Sequence, residues 1–377
     1  MNITIVQGAF FPVPPLRGGA VEKVWFELGK RFAAEGHEVT HVSRLYGDLP
    51  REEMIEGVRH VRVAGFEAPR SLLRLKLCDL IYSLRVLGRL PRADILVTHT
   101  FWLPMLVRSA SRGKLYVHVA RYPKGQLRFY GRAARLQTVS HEVEQAIRRE
   151  IPPWSEKVRC IPYPVPQQIE KSAGELARRR SERRLLYVGR VHPEKGIQLL
   201  LAAVALIPAE IFAGWKLEVV GPFAAREGGG GEAYLSDLQR LSERMADRVD
   251  WVGPVFDPQR LDDYYRRASL FVYPSLAERG ETFGLAPLEA MSHGCATVVS
   301  NLACFRDFIE PEGTGFVFDH RAAEPARALA DMLSVLMENP ELMERVAQEG
   351  YLRTRMFSME RVTEQYLADF RSLLPEV

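Results

Sequence analysis

Short apolar runs alternate with amphipathic stretches along most of the chain, and this alternation constrains the fold more than any other feature. Ile3–Val6 is an apolar run that closes at Gly8. Between Gly19 and Glu35, Val21, Val24, Trp25, Leu28 and Phe32 recur at helical spacing, and Gly36 stops the helix. His37–Ser43 alternates as a strand, and further strands are predicted at Val58–Val63, Ile95–Thr98, Leu115–Val119 and Leu136–Val139. Strand–helix repeats of this kind build a mostly parallel sheet covered on both faces. The pattern breaks after Pro162, Pro164 and Pro166, in a polar, Arg-rich stretch. It restarts with strands at Leu185–Val188, Leu217–Val220, Leu270–Tyr273 and Thr297–Val299 and a helix at Ile197–Leu206. The expectation is α/β: two doubly wound domains in tandem with a cleft between them.

The 377 residues suit two domains of ordinary size. An apolar fraction of 47% and a charged fraction of 26% exclude a disordered tail, a collagen-like fibre and a small stapled module. Cys78, Cys160, Cys295 and Cys304 form no CxxC and no zinc spacing with histidines, so a reduced protein without structural zinc is expected. The N-terminus has no cationic leader, and the longest apolar run, Leu199–Ala209, is half a membrane span and is broken by Pro208. A soluble, cytoplasmic chain follows as the expectation.

The net charge of +4 hides a division. Residues 1–180 carry 30 Lys+Arg against 17 Asp+Glu, or +13, and residues 181–377 carry 21 against 30, or −9. That split points to an anionic partner or an anionic membrane surface for the first half. Arg121, Lys124, Arg128, Arg132 and Arg135 cluster after the strand that carries His118. Upstream, Leu72, Leu73, Leu75, Leu77, Leu80 and Ile81 interleave with Arg70, Arg74 and Lys76, either as an interfacial helix or as a helix packing its leucines on the sheet.

Two motifs carry chemistry. Gly189-Arg190-Val191-His192-Pro193-Glu194-Lys195-Gly196 follows a strand and leads into a helix. Two cations five residues apart at the carboxyl end of a parallel strand can close on a diphosphate. The second motif runs from Glu281 to Met291. Pro287 is tolerated only near a helix start, so a helix begins around Gly284 or Leu285 and offers its N–H groups as an anion site. Gly284 leaves room for a phosphate, Glu289 one turn in can accept from ribose hydroxyls, and Glu281 is free to approach a sugar. The Gly228–Gly231 run reads as a mobile loop rather than a phosphate cradle.

These residues resemble glycosyltransferase family 4. Glu281 and Glu289 stand as its E-x7-E pair, in the context E-x-F-G-L-x-x-L-E-A-M-x-x-G through Gly294. Gly189-Arg190…Glu194-Lys195-Gly196 matches its G-R-x-x-x-E-K-G, and Pro274-Ser275, Thr314-Gly315, Gly18-Gly19 and Gly36-His37 resemble further motifs. Pro162-Tyr163-Pro164-Val165-Pro166 departs from the Pro-Asn-Gly-Val-Asp that many relatives carry.

The resemblance implies a GT-B fold of two Rossmann-like domains facing a central cleft. It gives an acceptor-side domain over 1–168, a linker over 169–182, a nucleotide-sugar-binding domain over 183–355, and a C-terminal helix over 356–377 that crosses back. It implies retaining transfer of a hexosyl-type sugar from a nucleotide-diphosphate sugar to a hydroxyl acceptor, in cell-surface glycan, glycolipid or small glycoside synthesis, without a metal or other cofactor. No Asp-x-Asp is present. By position, Arg190 and Lys195 bind the diphosphate and Glu289 the ribose. Glu281 and the backbone of Phe283, Gly284 and Leu285 hold the sugar and distal phosphate. Gly18 and Gly19 lie against the donor, and Pro254 or Val255 borders the base. His118 stands where the family often has an active-site histidine, with His99 one element earlier as a weaker candidate. The catalytic set is Glu281, His118, Arg190 and Lys195, and Arg121 and Lys124 face an anionic or membrane-associated acceptor, with peripheral attachment to the inner membrane surface in view. Nucleic acid is not expected as a partner, and base, sugar, acceptor and oligomeric state stay open. The competing readings are a nucleotide-sugar epimerase or phosphorylase on the same fold, or a catalytically idle nucleotide-binding subunit.

Overall fold

The computed structural model describes residues 1–69, 71–165 and 182–375. Arg70 and all of the expected linker except Glu182 lie outside the described residues. The chain divides into two compact units, one of Met1–Pro164 with Met359–Val377 and one of Val165–Ser358.

The first unit is built on an eight-stranded sheet: β1 (Asn2–Val6), β2 (Glu38–Leu45), β3 (Glu52–Ile55), β4 (Val58–Ala64), β5 (Ile95–Thr98), β6 (Lys114–His118), β7 (Arg135–Thr138) and β8 (Val158–Cys160), in the order β3-β4-β2-β1-β5-β6-β7-β8. Every pairing is parallel except β3 with β4. The expected strands are thus present to within two residues at each end. β3 and β8 are additional, short and mixed in polarity, which is why the apolar pattern does not show them. Helices α1 (Ala20–Ala34), α2 (Leu72–Leu87) and α3 (His141–Glu150) are the long crossovers. The sheet is covered on both faces, so Ile3, Ile5, Val6, Ile95, Leu96 and Val97 are all buried.

The second unit has six parallel strands, β9 (Arg184–Val188), β10 (Lys216–Val220), β11 (Val249–Gly253), β12 (Leu270–Tyr273), β13 (Ala296–Ser300) and β14 (Phe316–Phe318), in the order β11-β10-β9-β12-β13-β14. Its longer helices are α4 (Ile197–Leu206), α5 (Glu232–Ser242), α6 (Pro258–Arg267), α7 (Leu285–Ser292), α8 (Pro325–Glu338) and α9 (Pro340–Thr354). Successive strands go out from β9 to one side and resume at β12 on the other. The crevice at such a switch, outside the strands' carboxyl ends, is where open α/β sheets bind ligands.

The last helix, α10 (Met359–Ser372), returns to the first unit. Its Asp369 accepts from Arg135 at 2.7 and 3.0 Å and from the Tyr116 hydroxyl at 2.9 Å. Tyr366 meets Trp25 edge-on at 5.0 Å, and Phe370 meets Tyr116 at 4.9 Å. The molecule is therefore two parallel-sheet, Rossmann-like units with a returning C-terminal helix.

Candidate active site

Both motifs sit in the second unit at its switch between β9 and β12. Gly189 follows β9 directly, and a Cβ there would meet the Tyr187 hydroxyl at 2.7 Å. That hydroxyl donates to the Arg190 carbonyl at 2.9 Å, so the loop folds back on its own strand. Gly196 has φ 71°, and a Cβ on it would come within 2.0 Å of the Pro274 carbonyl oxygen. Glycine is thus required for the Gly189–Gly196 loop to rest directly on the chain leaving β12.

This close approach delivers Lys195 to Glu281, 86 residues away. Lys195 Nζ donates to Glu281 Oε2 at 2.6 Å and lies 5.3 Å from the centre of the Tyr273 ring. Both side chains are almost fully buried, at 7% and 10% exposure. Tyr273 is also hydrogen-bonded to Glu281, and burial together with that carboxylate drives the phenol's pKa well up, which keeps it a neutral donor. Arg190 is less enclosed, at 41% side-chain exposure. Its Nη1 donates to the Gly228 carbonyl at 2.6 Å and its Nη2 to Glu194 Oε1 at 2.7 Å. The Gly228–Gly231 run, read from the sequence as a mobile loop, is tied down by hydrogen bonds: Gly229 N–H to Ala224, Gly230 N–H to Val191 and Gly231 N–H to Phe223.

Helix α7 begins at Leu285 with Gly284 as its cap. Gly284 has φ 91°, and a Cβ on it would stand 2.4 Å from Cε1 of Phe305. The reason for glycine is therefore a packed phenyl ring and a left-handed backbone, where the sequence suggested room for a phosphate. The first N–H groups of α7 have no acceptor within the helix, and Pro287 in the third position has none to offer. Glu289 is buried one turn in and accepts from the Tyr265 hydroxyl of α6 at 3.1 Å. Val255 follows β11 and is half-buried. Phe283 is buried and packs on Phe308. Arg190, Lys195, Glu281, Gly284, Leu285 and Glu289 thus come from segments converging at the carboxyl ends of the central strands β9 and β12.

In the first unit, Gly18 and Gly19 have φ 72° and 98° and precede α1. A Cβ on Gly19 would touch Glu22 Oε2 at 2.3 Å, so the Glu22 carboxyl folds back over the Gly-Gly turn. Glu22 is a residue the sequence reading missed. It is buried, and burial pushes its pKa up to about 7 against a smaller downward pull from its own backbone N–H and from Arg121. An acid three residues into a helix after Gly-Gly could have signalled it, because side chains there reach back to the cap.

His118 closes β6 and is buried. Its Nδ1 is 2.5 Å from Gln137 Oε1 and its Nε2 3.1 Å from the Tyr163 hydroxyl, so both ring nitrogens have protein partners. Burial lowers its pKa to about 4, opposed by the Gln137 bond, and the ring is neutral at pH 7. His99 is half-buried beside it at 5.0 Å between rings, and desolvation of its ring likewise lowers its pKa and keeps it neutral. Arg121 and Lys124 are exposed, as are Arg128 and Arg132. Between Arg121 and Arg132 the chain forms a single 3₁₀ turn, Leu127–Phe129. Arg135 does not belong with the surface cations, because it is buried in the ion pair with Asp369.

Helix α2 is turned the other way from a core-packing leucine helix. Leu72, Leu73, Leu77 and Leu84 are 78%, 79%, 55% and 51% exposed, while Asp79, Tyr82, Ser83 and Val86 are buried. No helix among the described residues is long and apolar enough to cross a membrane. Among those residues, His141, Glu144 and Cys160 bring three potential metal-ligand atoms within 4.8 Å of one another in the first unit. Glu144 already accepts from Arg148 at 2.7 Å.

Comparison with known proteins bears on the family and the fold. The family model described as Glycosyl transferases group 1 matches residues 168–353, and that described as Glycosyltransferase Family 4 matches residues 18–168. The chain is 31% identical over 192 residues to the lipopolysaccharide core biosynthesis mannosyltransferase LpsB of Rhizobium meliloti (strain 1021), a match covering 49% of this chain and 50% of that protein. The matched stretch thus spans about half the length of that relative. The sucrose-phosphate synthase of Thermosynechococcus elongatus superposes with a TM-score of 0.81 over 99% of both chains at 21% identity. Anabaena Alr3699/HepE, solved in complex with UDP and glucose, superposes with a TM-score of 0.74 at 16% identity over 99% of this chain and 100% of that one. With consecutive models running from residue 18 to residue 353, and a fold shared end to end with such enzymes, the chain belongs to the GT-B glycosyltransferases of the family 4 type.

Proposed function

We propose that this protein is a retaining glycosyltransferase that moves a hexosyl-type sugar from a nucleotide-diphosphate sugar to a hydroxyl acceptor, in the synthesis of a cell-surface glycan, a glycolipid or a small glycoside. The observation that carries the reading is the convergence of Lys195, Glu281, Arg190 and the head of α7 at the β9–β12 switch. Arg190 is held by acceptors, the Gly228 carbonyl and Glu194, that diphosphate oxygens can replace. Lys195 reaches the same anion with its remaining N–H groups while Glu281 fixes it from behind. Glu289 takes the ribose and Glu281 the transferred sugar.

In this reading the acceptor oxygen bonds to the anomeric carbon on the face from which the diphosphate leaves. The carbon–oxygen bond to phosphate breaks, and the acceptor proton passes to the departing phosphate oxygen. Arg190, Lys195 and the N–H groups of α7 stabilise the charge that builds there. No side chain needs to form a covalent intermediate, and the residues hold the diphosphate without a metal. We place Arg121 and Lys124 on the acceptor side, Gly18 and Gly19 against the donor and His118 in the catalytic set, and the work of the enzyme at the cytoplasmic face of a membrane. The exposed leucines of α2, among Arg74 and Lys76, support that placement.

The test is a thermal-shift panel of nucleotide sugars followed by assay of acceptor-dependent release of nucleoside diphosphate. A true donor at a hundred times its Kd stabilises by about 2.7 kcal/mol. If no nucleotide sugar raises Tm and none is turned over with any acceptor, the reading fails.

A further inference from the structure

The first unit contains a cavity that the donor and acceptor assignments leave unused. It lies at the β3–β4 edge of the sheet beside the carboxyl end of α2, has a volume of about 300 Å³, and is lined by Arg51, Arg62, Arg85 and Arg89 over Val61 and Val63. The four arginines are not equivalent. The buried guanidinium of Arg62 is spent within the protein, on the Val13 and Pro50 carbonyls at 3.2 and 2.8 Å and on Glu53. Arg85 gives Nη1 to the Ala64 carbonyl at 2.7 Å and lies 5.0 Å over the Phe66 ring, which fixes its plane and leaves its other N–H groups. Arg51 and Arg89 are exposed at the rim. The acid of the lining, Glu52, already carries Arg59 at 2.8 Å.

Arg85 and Arg89 alone would be accounted for as cations at the end of a helix. Arg51 comes from the opposite wall, just before β3, where no helix end calls for it. Three guanidinium forks over an apolar floor fit an anion with planar or tetrahedral oxygens and an organic body. We infer that this cavity is a binding site for a phosphate ester, separate from the donor site. Two sources share that chemistry, a soluble phosphorylated metabolite and the headgroup of an anionic phospholipid, and the exposed leucines on the same helix bear on the second. The inference does not depend on the proposed reaction, whose donor motifs belong to the other unit.

Glycerol 3-phosphate is titrated calorimetrically into the full chain, into Arg190→Ala to remove binding at the donor motif, and into Arg51→Gln/Arg89→Gln. Both altered cavity residues are exposed, and Arg85→Gln serves as an independent second variant. We expect equal binding to wild type and Arg190→Ala, and Kd at least about tenfold weaker in the cavity variants. Vesicles of phosphatidylglycerol separate the sources. Loss of co-sedimentation in the cavity variants, with competition by glycerol 3-phosphate, identifies the headgroup. Unchanged co-sedimentation beside weakened titration identifies a soluble ester. No binding by wild type, or the same Kd in wild type and cavity variants, overturns the site.

Discussion

The pairing of Lys195 with Glu281 changes what a substitution there does. Arg190 is partly exposed, so Arg190→Ala is expected to keep the fold and lose roughly 10²–10³ in turnover, because it removes a cation from the charge developing on the diphosphate. Lys195→Met should lose as much activity but also stability, since it strands a buried carboxylate, at a cost of about 3–5 kcal/mol. Replacing both partners, Lys195→Met/Glu281→Met, should recover most of that stability and none of the activity. Denaturant melts alongside steady-state kinetics separate the two effects, and near-wild-type turnover in either single variant would remove these residues from the donor site. Glu22 yields a pH prediction. Its carboxyl titrates near 7 in the folded chain and near 4.5 when unfolded, so between those values the folded state binds more protons and stability falls as pH rises. The full difference is about 3 kcal/mol. Glu22→Gln should flatten this part of the Tm–pH curve relative to wild type, and an unchanged slope would show that the carboxyl is not held protonated.

At the scale of elements, the head of α7 depends on Gly284. Alanine there faces both a left-handed φ of 91° and the ring of Phe305, and strained backbone of this kind costs about 1–3 kcal/mol. Gly284→Ala should lower Tm and weaken nucleotide binding together; calorimetry with and without nucleotide checks this, and an unchanged Tm with unchanged binding would show that the helix head does not need glycine. Much of this architecture was legible beforehand because β1, β5, β9 and β12 are buried on both faces and read as continuous apolar runs. Pro287 and the two glutamates placed the helix head for a comparable reason, since proline tolerates few helical positions. β3, with Glu52 and Glu53 at an edge, and the three-residue β8 and β14 are too short or too polar to leave such a trace. Equally hidden were the partners that act across distance. Tyr265 on Glu289, Tyr273 on Glu281, and Asp369 on Arg135 are set by tertiary packing, which local pattern does not encode. Leu72, Leu73, Leu77 and Leu84 of α2 stand against the ordinary rule that apolar side chains turn inward, and only the fold reveals which leucines of the helix do so.

On the scale of the whole molecule, the last helix is part of the first unit's core. Asp369 is 9% exposed and satisfies Arg135 and Tyr116 at once, so Asp369→Ala should cost about 3–5 kcal/mol by leaving a buried guanidinium unpaired. A two-step melt in which the first unit alone shifts would locate the loss there, whereas an unshifted melt would show that α10 is dispensable. The division of charge, +13 before residue 181 and −9 after it, leads to the remaining expectation. A surface that attracts anions at long range needs a second, short-range contact to hold a membrane, because each kind of contact alone is weak. On the proposed membrane placement, helix α2 would supply that contact through Leu72, Leu73 and Leu77, which stand exposed although burying them on the sheet would have stabilised the fold. Leu73→Ser/Leu77→Ser should therefore leave Tm within about 0.5 kcal/mol of wild type, as surface substitutions do. It should nevertheless reduce sedimentation with anionic vesicles severalfold. Raising salt should release wild type progressively, since exposed charges are screened over about 10 Å at 0.1 M. Neutral vesicles should retain little of either protein. If wild type fails to sediment with anionic vesicles at low salt, the leucines serve some other contact and the excess of cations is meant for a soluble anionic acceptor, in which case KM for that acceptor should climb on Arg121→Ala or Lys124→Ala.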